Sequence, residues 1–116
     1  MAKTKIVPTS SVSATSYEPF MYKDKPFGEV HWLRTTSGTE GRVLYAGLWK
    51  SDPATIDYAF DAGDETIHVL KGNLRVEMDT GEIVELQPGD IASFPKGHSC
   101  KWIMTTPFAK FFAISA

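Results

Sequence analysis

Along residues 64–79 apolar and polar side chains alternate with a period of two. Leu74, Val76 and Met78 fall on one side of an extended strand and Arg75, Glu77 and Asp79 on the other. The preceding run places Ile67 and Val69 on one face, and Glu65 falls in register with them. A carboxylate therefore shares the face that should turn to the core, which marks Glu65 as the first candidate functional residue.

The same reading predicts short strands at approximately 29–35, 42–50, 54–60, 65–71, 73–79, 82–87, 90–94, 100–105 and 108–114. Breaks fall at Ser37-Gly38, Asp52-Pro53, Ala62-Gly63, Lys71-Gly72, Thr80-Gly81, Pro88-Gly89-Asp90 and Pro95-Lys96-Gly97. Many short strands at this spacing, with no long amphipathic helical stretch, predict an all-β sandwich or barrel of antiparallel strands. Residues 1–27 are Ser/Thr-rich, punctuated by proline and dotted with Tyr17, Phe20, Tyr22 and Phe27. They read as an N-terminal arm packed on a barrel of residues 28–116, with 1–12 alternatively a partly disordered tail.

At 116 residues the chain has room for one core and hence one domain. A net charge of −2 with dispersed lysines leaves no basic stripe, so nucleic acid is not an expected partner. No apolar run is long enough to span a bilayer, and polar Thr and Ser follow Met1-Ala2-Lys3-Thr4-Lys5 where a signal peptide needs an apolar region. A cytoplasmic location is expected. The single cysteine, Cys100, agrees with a reducing compartment.

The segment Asp64-Glu65-Thr66-Ile67-His68-Val69-Leu70-Lys71-Gly72, followed by Asp79-Thr80-Gly81 and Leu86-Gln87-Pro88-Gly89-Asp90, resembles the first cupin motif and its turn. Gly89-Asp90-Ile91-Ala92-Ser93-Phe94-Pro95-Lys96-Gly97-His98-Ser99-Cys100-Lys101-Trp102 resembles the second. With Gly47-Leu48-Trp49 upstream, the chain looks like the small single-domain cupins, whose relatives include ureidoglycine aminohydrolase. The resemblance covers roughly residues 42–113 and implies an antiparallel double-stranded β-helix, the cupin jelly-roll barrel.

Metal-binding cupins draw two His and one Glu from the first motif and one His from the second. In this sequence those positions fall on Ala59, Asp61, Glu65 and Cys100, so only the Glu matches. A divalent transition metal, if one is held, would meet Asp61, Glu65, Cys100 and His98; the loss of imidazoles predicts no tightly bound cofactor. Cys100 is otherwise a packing residue or, with His98 two positions away, a nucleophile. His68 alternates away from Glu65, and His31 sits beside Trp32; both read as structural or surface histidines.

These observations lead to a small-molecule-binding cupin with a ligand pocket of Glu65, Ile67, Cys100, Trp102 and Met104. The relatives imply hydrolysis of a small nitrogen-containing metabolite, with Glu65 as the catalytic acid/base, and Glu65→Gln is expected to cost little stability. The alternative is a non-catalytic sensor or structural module acting through dimer contacts. A homodimer is expected on either reading, because a barrel this small gains buried area by pairing.

Overall fold

The computed structural model describes residues 16–37 and 42–116. Expectations for residues 1–12 and for the break at Gly38 lie outside them. Among the described residues ten strands follow in chain order: β1 (Glu18–Tyr22), β2 (Lys25–Ser37), β3 (Val43–Ser51), β4 (Ala54–Ala59), β5 (Asp64–Lys71), β6 (Leu74–Met78), β7 (Ile83–Leu86), β8 (Ile91–Phe94), β9 (Ser99–Met104) and β10 (Phe108–Ser115). No helix occurs among the described residues, and so none that could cross a membrane.

Every pairing is antiparallel. A six-stranded sheet runs β1-β2-β3-β10-β5-β8 and a four-stranded sheet runs β4-β9-β6-β7. Consecutive strands β4 and β5 thus lie in different sheets, as do β5 and β6, which is the crossing pattern of a jelly roll.

The alternation in the sequence is the mechanism of closure. Leu74 and Val76 of β6 are buried, while Arg75 stays outside and pairs with Glu77 and Glu85. Ile67 and Val69 of β5, Trp102 and Met104 of β9 and Phe108 and Phe112 of β10 meet them from the facing strands. Phe60 and Phe94 stack at 4.8 Å with their planes 7° apart, closing one end of this core.

Side-chain oxygens secure the loops. Asp90 accepts the Gln87 N–H across the Pro88-Gly89 turn at 2.9 Å, and Asp64 accepts the Lys96 N–H at 2.8 Å, tying β5 to the loop after β8.

The arm is more ordered than an extended strap. β1 and β2 form a hairpin whose turn, Lys23-Asp24, has φ of 51° and 64°. β2 then continues without a break into the barrel, so the expected arm and barrel share a strand. The hairpin is held down at its base: the Trp49 indole N–H donates to the Phe27 carbonyl at 3.0 Å, and the Ala59 N–H donates to the Tyr22 hydroxyl at 3.1 Å. Gly28 makes this approach possible. Its φ is +65°, and a Cβ there would stand 2.5 Å from the Lys50 carbonyl oxygen and 2.7 Å from the Trp49 ring.

Candidate functional site

β10 lies between β3 and β5, and its inward face reads Phe108, Lys110, Phe112, Ile114. The lysine is the exception in an apolar row. Its cross-strand neighbours are Trp49 and Val69, so its stem runs through the barrel with the charge inside. Glu65, opposite Ile114, supplies the counter-charge: Lys110 Nζ donates to Glu65 Oε2 at 2.8 Å, and the two side chains are 5% and 3% exposed. From the other sheet, the Tyr58 hydroxyl donates to Glu65 Oε1 at 2.7 Å. Both carboxylate oxygens are therefore engaged, as a buried charge requires.

Aromatic rings enclose the ammonium. Lys110 Nζ stands 4.0 Å from the Trp102 ring centre, 5.2 Å from that of Trp49 and 5.5 Å from that of Phe112. Loss of water pushes the Lys110 amine below the ordinary lysine range, a push that the Glu65 charge only partly reverses. Burial, reinforced by Glu65, raises the Tyr58 phenol far above its usual value, so Tyr58 remains a hydrogen-bond donor.

Beside this group lies a partly open cavity of about 40 Å³, with Glu65, Lys110 and Tyr58 at its polar end. Its walls are Trp49, Trp102, Phe112 and Ile114 of the barrel and Phe20, Phe27 and Trp32 from the hairpin. The arm is thus part of the site.

Of the residues read from the sequence, Glu65 and Trp102 line this cavity. Ile67 and Met104 are core residues, 0% and 2% exposed, that do not reach it. Cys100 borders a separate surface hollow with Tyr22, Asp57 and Asp79, and its thiol donates to the Tyr58 carbonyl at 3.4 Å. Burial pushes that thiol up to about 11, partly offset by the neighbouring Trp102 indole N–H, so the nucleophilic thiolate is disfavoured. Trp102 Nε1 itself is buried without a hydrogen-bond partner among the described residues.

His98 does not turn to Cys100. Its Nδ1 lies 2.9 Å from Asp79 Oδ1, while Asp79 Oδ2 accepts the Ser99 N–H. That backbone bond and then His98 hold the Asp79 carboxyl below its usual range. Asp61 is exposed in the loop between β4 and β5. His68 lies on the outer face between Phe111 and Ile91, and His31 Nδ1 lies 2.8 Å from the Ser16 carbonyl oxygen.

Lys110, Tyr58 and Trp49 were not read from the sequence as site residues. Lys110 carried the same signal as Glu65, a charge in register with apolar residues. Tyr58 and Trp49 carried none, because Tyr58 reaches Glu65 from the other sheet and Trp49 reaches Lys110 only through the pairing of β3 with β10.

The residues do not fit the metal that this fold often carries. The one matching carboxylate already faces an ammonium, which would repel a second cation. Ala59 offers no donor atom, Asp61 points to solvent, and His98 is engaged by Asp79. Among the described residues no group of three or more His, Cys, Asp or Glu side chains is disposed to hold an ion.

Two antiparallel sheets closed as a jelly roll, with a polar group set among apolar side chains inside, define a small cupin. The chain belongs to the EutQ-like cupin domain family, whose pattern matches residues 38–112. It is similar to a DUF861 family protein from Thermotoga maritima, at 27% identity over 58% of this chain and 75% of that one, TM-score 0.55. The EutQ protein of Clostridium difficile shares 22% identity over 74% of this chain and 61% of that one, TM-score 0.59. KdgF from a Halomonas species shares 19% over 90% of each chain, TM-score 0.65. The last two likenesses concern the fold. No functionally curated protein matches the chain.

Proposed function

We propose that this cupin binds a compact carbonyl compound in the cavity between the hairpin and the barrel, with Glu65 as its acid/base group. The buried Glu65–Lys110 pair carries this reading. Two charges withdrawn from water contribute less to stability than apolar side chains of the same volume, so stability alone gives no reason for the pair to stand at the polar end of an aromatic cavity. A ligand oxygen supplies the reason, since the Lys110 ammonium has three donors and Glu65 takes one.

The space sets the size. A water-sized sphere needs about 10–15 Å³, so about 40 Å³ suits a molecule of about three or four heavy atoms. Hydrolysis of a small nitrogen-containing metabolite is in keeping with these limits: Glu65 would activate water and Lys110 would stabilise charge developing on the carbonyl oxygen. Support for that reaction, and for kinship with ureidoglycine aminohydrolase, comes from the resemblance of the two motifs. The single cysteine agrees with a cytoplasmic setting.

The test is titration of the protein with urea, acetamide, acetate and acetaldehyde, each at sub-denaturing concentration, read by NMR at the indole N–H signals of Trp49 and Trp102. At least one compound is expected to shift them, and the double variant Glu65→Leu/Lys110→Met should lose the response. Silence toward all four compounds, or an undiminished response in the double variant, would overturn the reading.

A second reading, a structural module acting through dimer contacts, is favoured by the outer face of the six-stranded sheet. Leu44, Leu70 and Ile91 there are 42%, 48% and 67% exposed.

A further inference from the structure

We propose that the Lys110 amine condenses reversibly with small aliphatic aldehydes admitted to the cavity, forming an imine inside the barrel. The inference rests on the binding reading above and gives it a substrate class.

Lys110 differs from the other six described lysines, all of which are exposed to solvent. Its Nζ borders a cavity, lies 2.8 Å from a carboxylate able to take its proton, and is screened from water by Trp49, Trp102 and Phe112. Imine formation needs an uncharged amine and is favoured by a nearby acid/base and by shielding from bulk water, because the step releases water. Glu65 can take the proton that frees the amine and serve as the acid/base, and the three rings provide the shielding. Burial, which favours the uncharged amine, supports the same chemistry.

The sequence of bonds balances. Lys110 passes one proton to Glu65, and the freed nitrogen pair attacks the aldehyde carbon to give a carbinolamine after proton transfer to oxygen. Protonated Glu65 returns its proton to that hydroxyl, the C–O bond breaks, and water leaves with formation of C=N. No oxidant, reductant or metal enters. Tyr58, donating to Glu65 Oε1, holds the carboxyl group in place through the exchange.

About 40 Å³ suits an aldehyde of two or three carbons, about three or four heavy atoms, and the rings lining the cavity crowd a branched or aromatic one.

Reductive trapping tests the proposal. The protein is incubated with acetaldehyde and cyanoborohydride near neutral pH, and ethylated positions are mapped by peptide mass spectrometry. Lys110 is expected to be ethylated on the order of tenfold faster than the exposed lysines, and benzaldehyde should lose that preference. In Glu65→Leu/Lys110→Met, verified as folded by circular dichroism, the fast site should vanish while surface labelling continues. If acetaldehyde shifts the Trp102 indole signal but ethyl groups collect only on exposed lysines, the imine is wrong and the binding reading stands. If it neither shifts that signal nor labels Lys110, and the other three compounds are also silent, both fail.

Discussion

Lys110 and Glu65 meet across adjacent strands although they are not cross-strand partners: Lys110 stands opposite Val69 and Glu65 opposite Ile114, yet Nζ and Oε2 are 2.8 Å apart. The long lysine stem spans the offset. Its charge arrives at the one buried carboxylate among the described residues.

That relationship reverses the expectation that Glu65→Gln would be nearly silent. Removing one partner leaves Lys110 buried without its counter-charge, and the cost is about 3–5 kcal/mol, reduced to the extent that the amine sheds its proton. Glu65→Leu/Lys110→Met, which removes both charges, should lie within about 1 kcal/mol of the original protein or above it. Urea unfolding at pH 7 measures both. A Gln variant as stable as the original chain would mean that the two side chains do not pair.

Tyr58→Phe probes the other oxygen. The hydroxyl is the donor to Glu65 Oε1, and without it a buried lone pair has no proton, at a cost of about 1–3 kcal/mol. Combined with Glu65→Leu/Lys110→Met, the same substitution should cost less than about 1 kcal/mol, because the acceptor has gone. Equal costs in both backgrounds would show that the hydroxyl serves something other than Glu65.

Much of the barrel could be read from alternation and turn residues. The predicted run 90–94 is Ile91–Phe94 in the fold, and 108–114 is Phe108–Ser115. The early region was harder. Lys23-Asp24 turns the hairpin with both φ values positive, but lacks the Asn-Gly or Asp-Gly pair that announces such a turn. Within the site, Glu65 stood out by register. Lys110 obeys the same rule, but a lysine in a strand ordinarily extends its amine to water, so register alone does not mark it. Met104 and Ile67 share the inward face with true lining residues, and period-two patterning cannot separate the packed interior from the cavity wall.

Gly28→Ala should loosen the hairpin. At φ +65° an alanine is strained, and its Cβ collides with the Trp49 ring that forms both the cavity wall and the bond to the Phe27 carbonyl. A loss of about 1–3 kcal/mol is expected, with a change in tryptophan fluorescence as Trp49 moves. Unaltered stability and emission would show that the hairpin base tolerates displacement.

Cys100 gives an alkaline signature. Its folded value, about 11, lies above its ordinary 9.0. The stabilisation linked to it is therefore complete below pH 9 and is lost as pH rises through 11. Its ceiling is about 3 kcal/mol, and contact with the surface hollow reduces this to on the order of 1 kcal/mol. Between pH 8 and 11, Cys100→Ala should weaken this part of the decline in unfolding free energy. An identical slope in both proteins would place the titration elsewhere.

The outer face of the six-stranded sheet carries the last prediction. His31, Leu48, Phe111, His68 and Ile91 are successive cross-strand partners on β2, β3, β10, β5 and β8, forming one row across five strands. Since Trp49 and Lys110 point inward, Leu48 and Phe111 of this row point outward, and Leu44 and Leu70 widen the row, which with exposed Ile91 makes an apolar surface. A second copy of the chain is the occupant we expect, because two-fold pairing of identical patches is the commonest way for a chain to cover an exposed apolar face. Sedimentation equilibrium at micromolar concentration should give the mass of two chains. Phe111→Glu places a charge at the centre of the row while leaving the inward face untouched, and should give one chain with the near-ultraviolet spectrum preserved. A single-chain mass for the unaltered protein, or a dimer that survives Phe111→Glu, would move the contact to another surface.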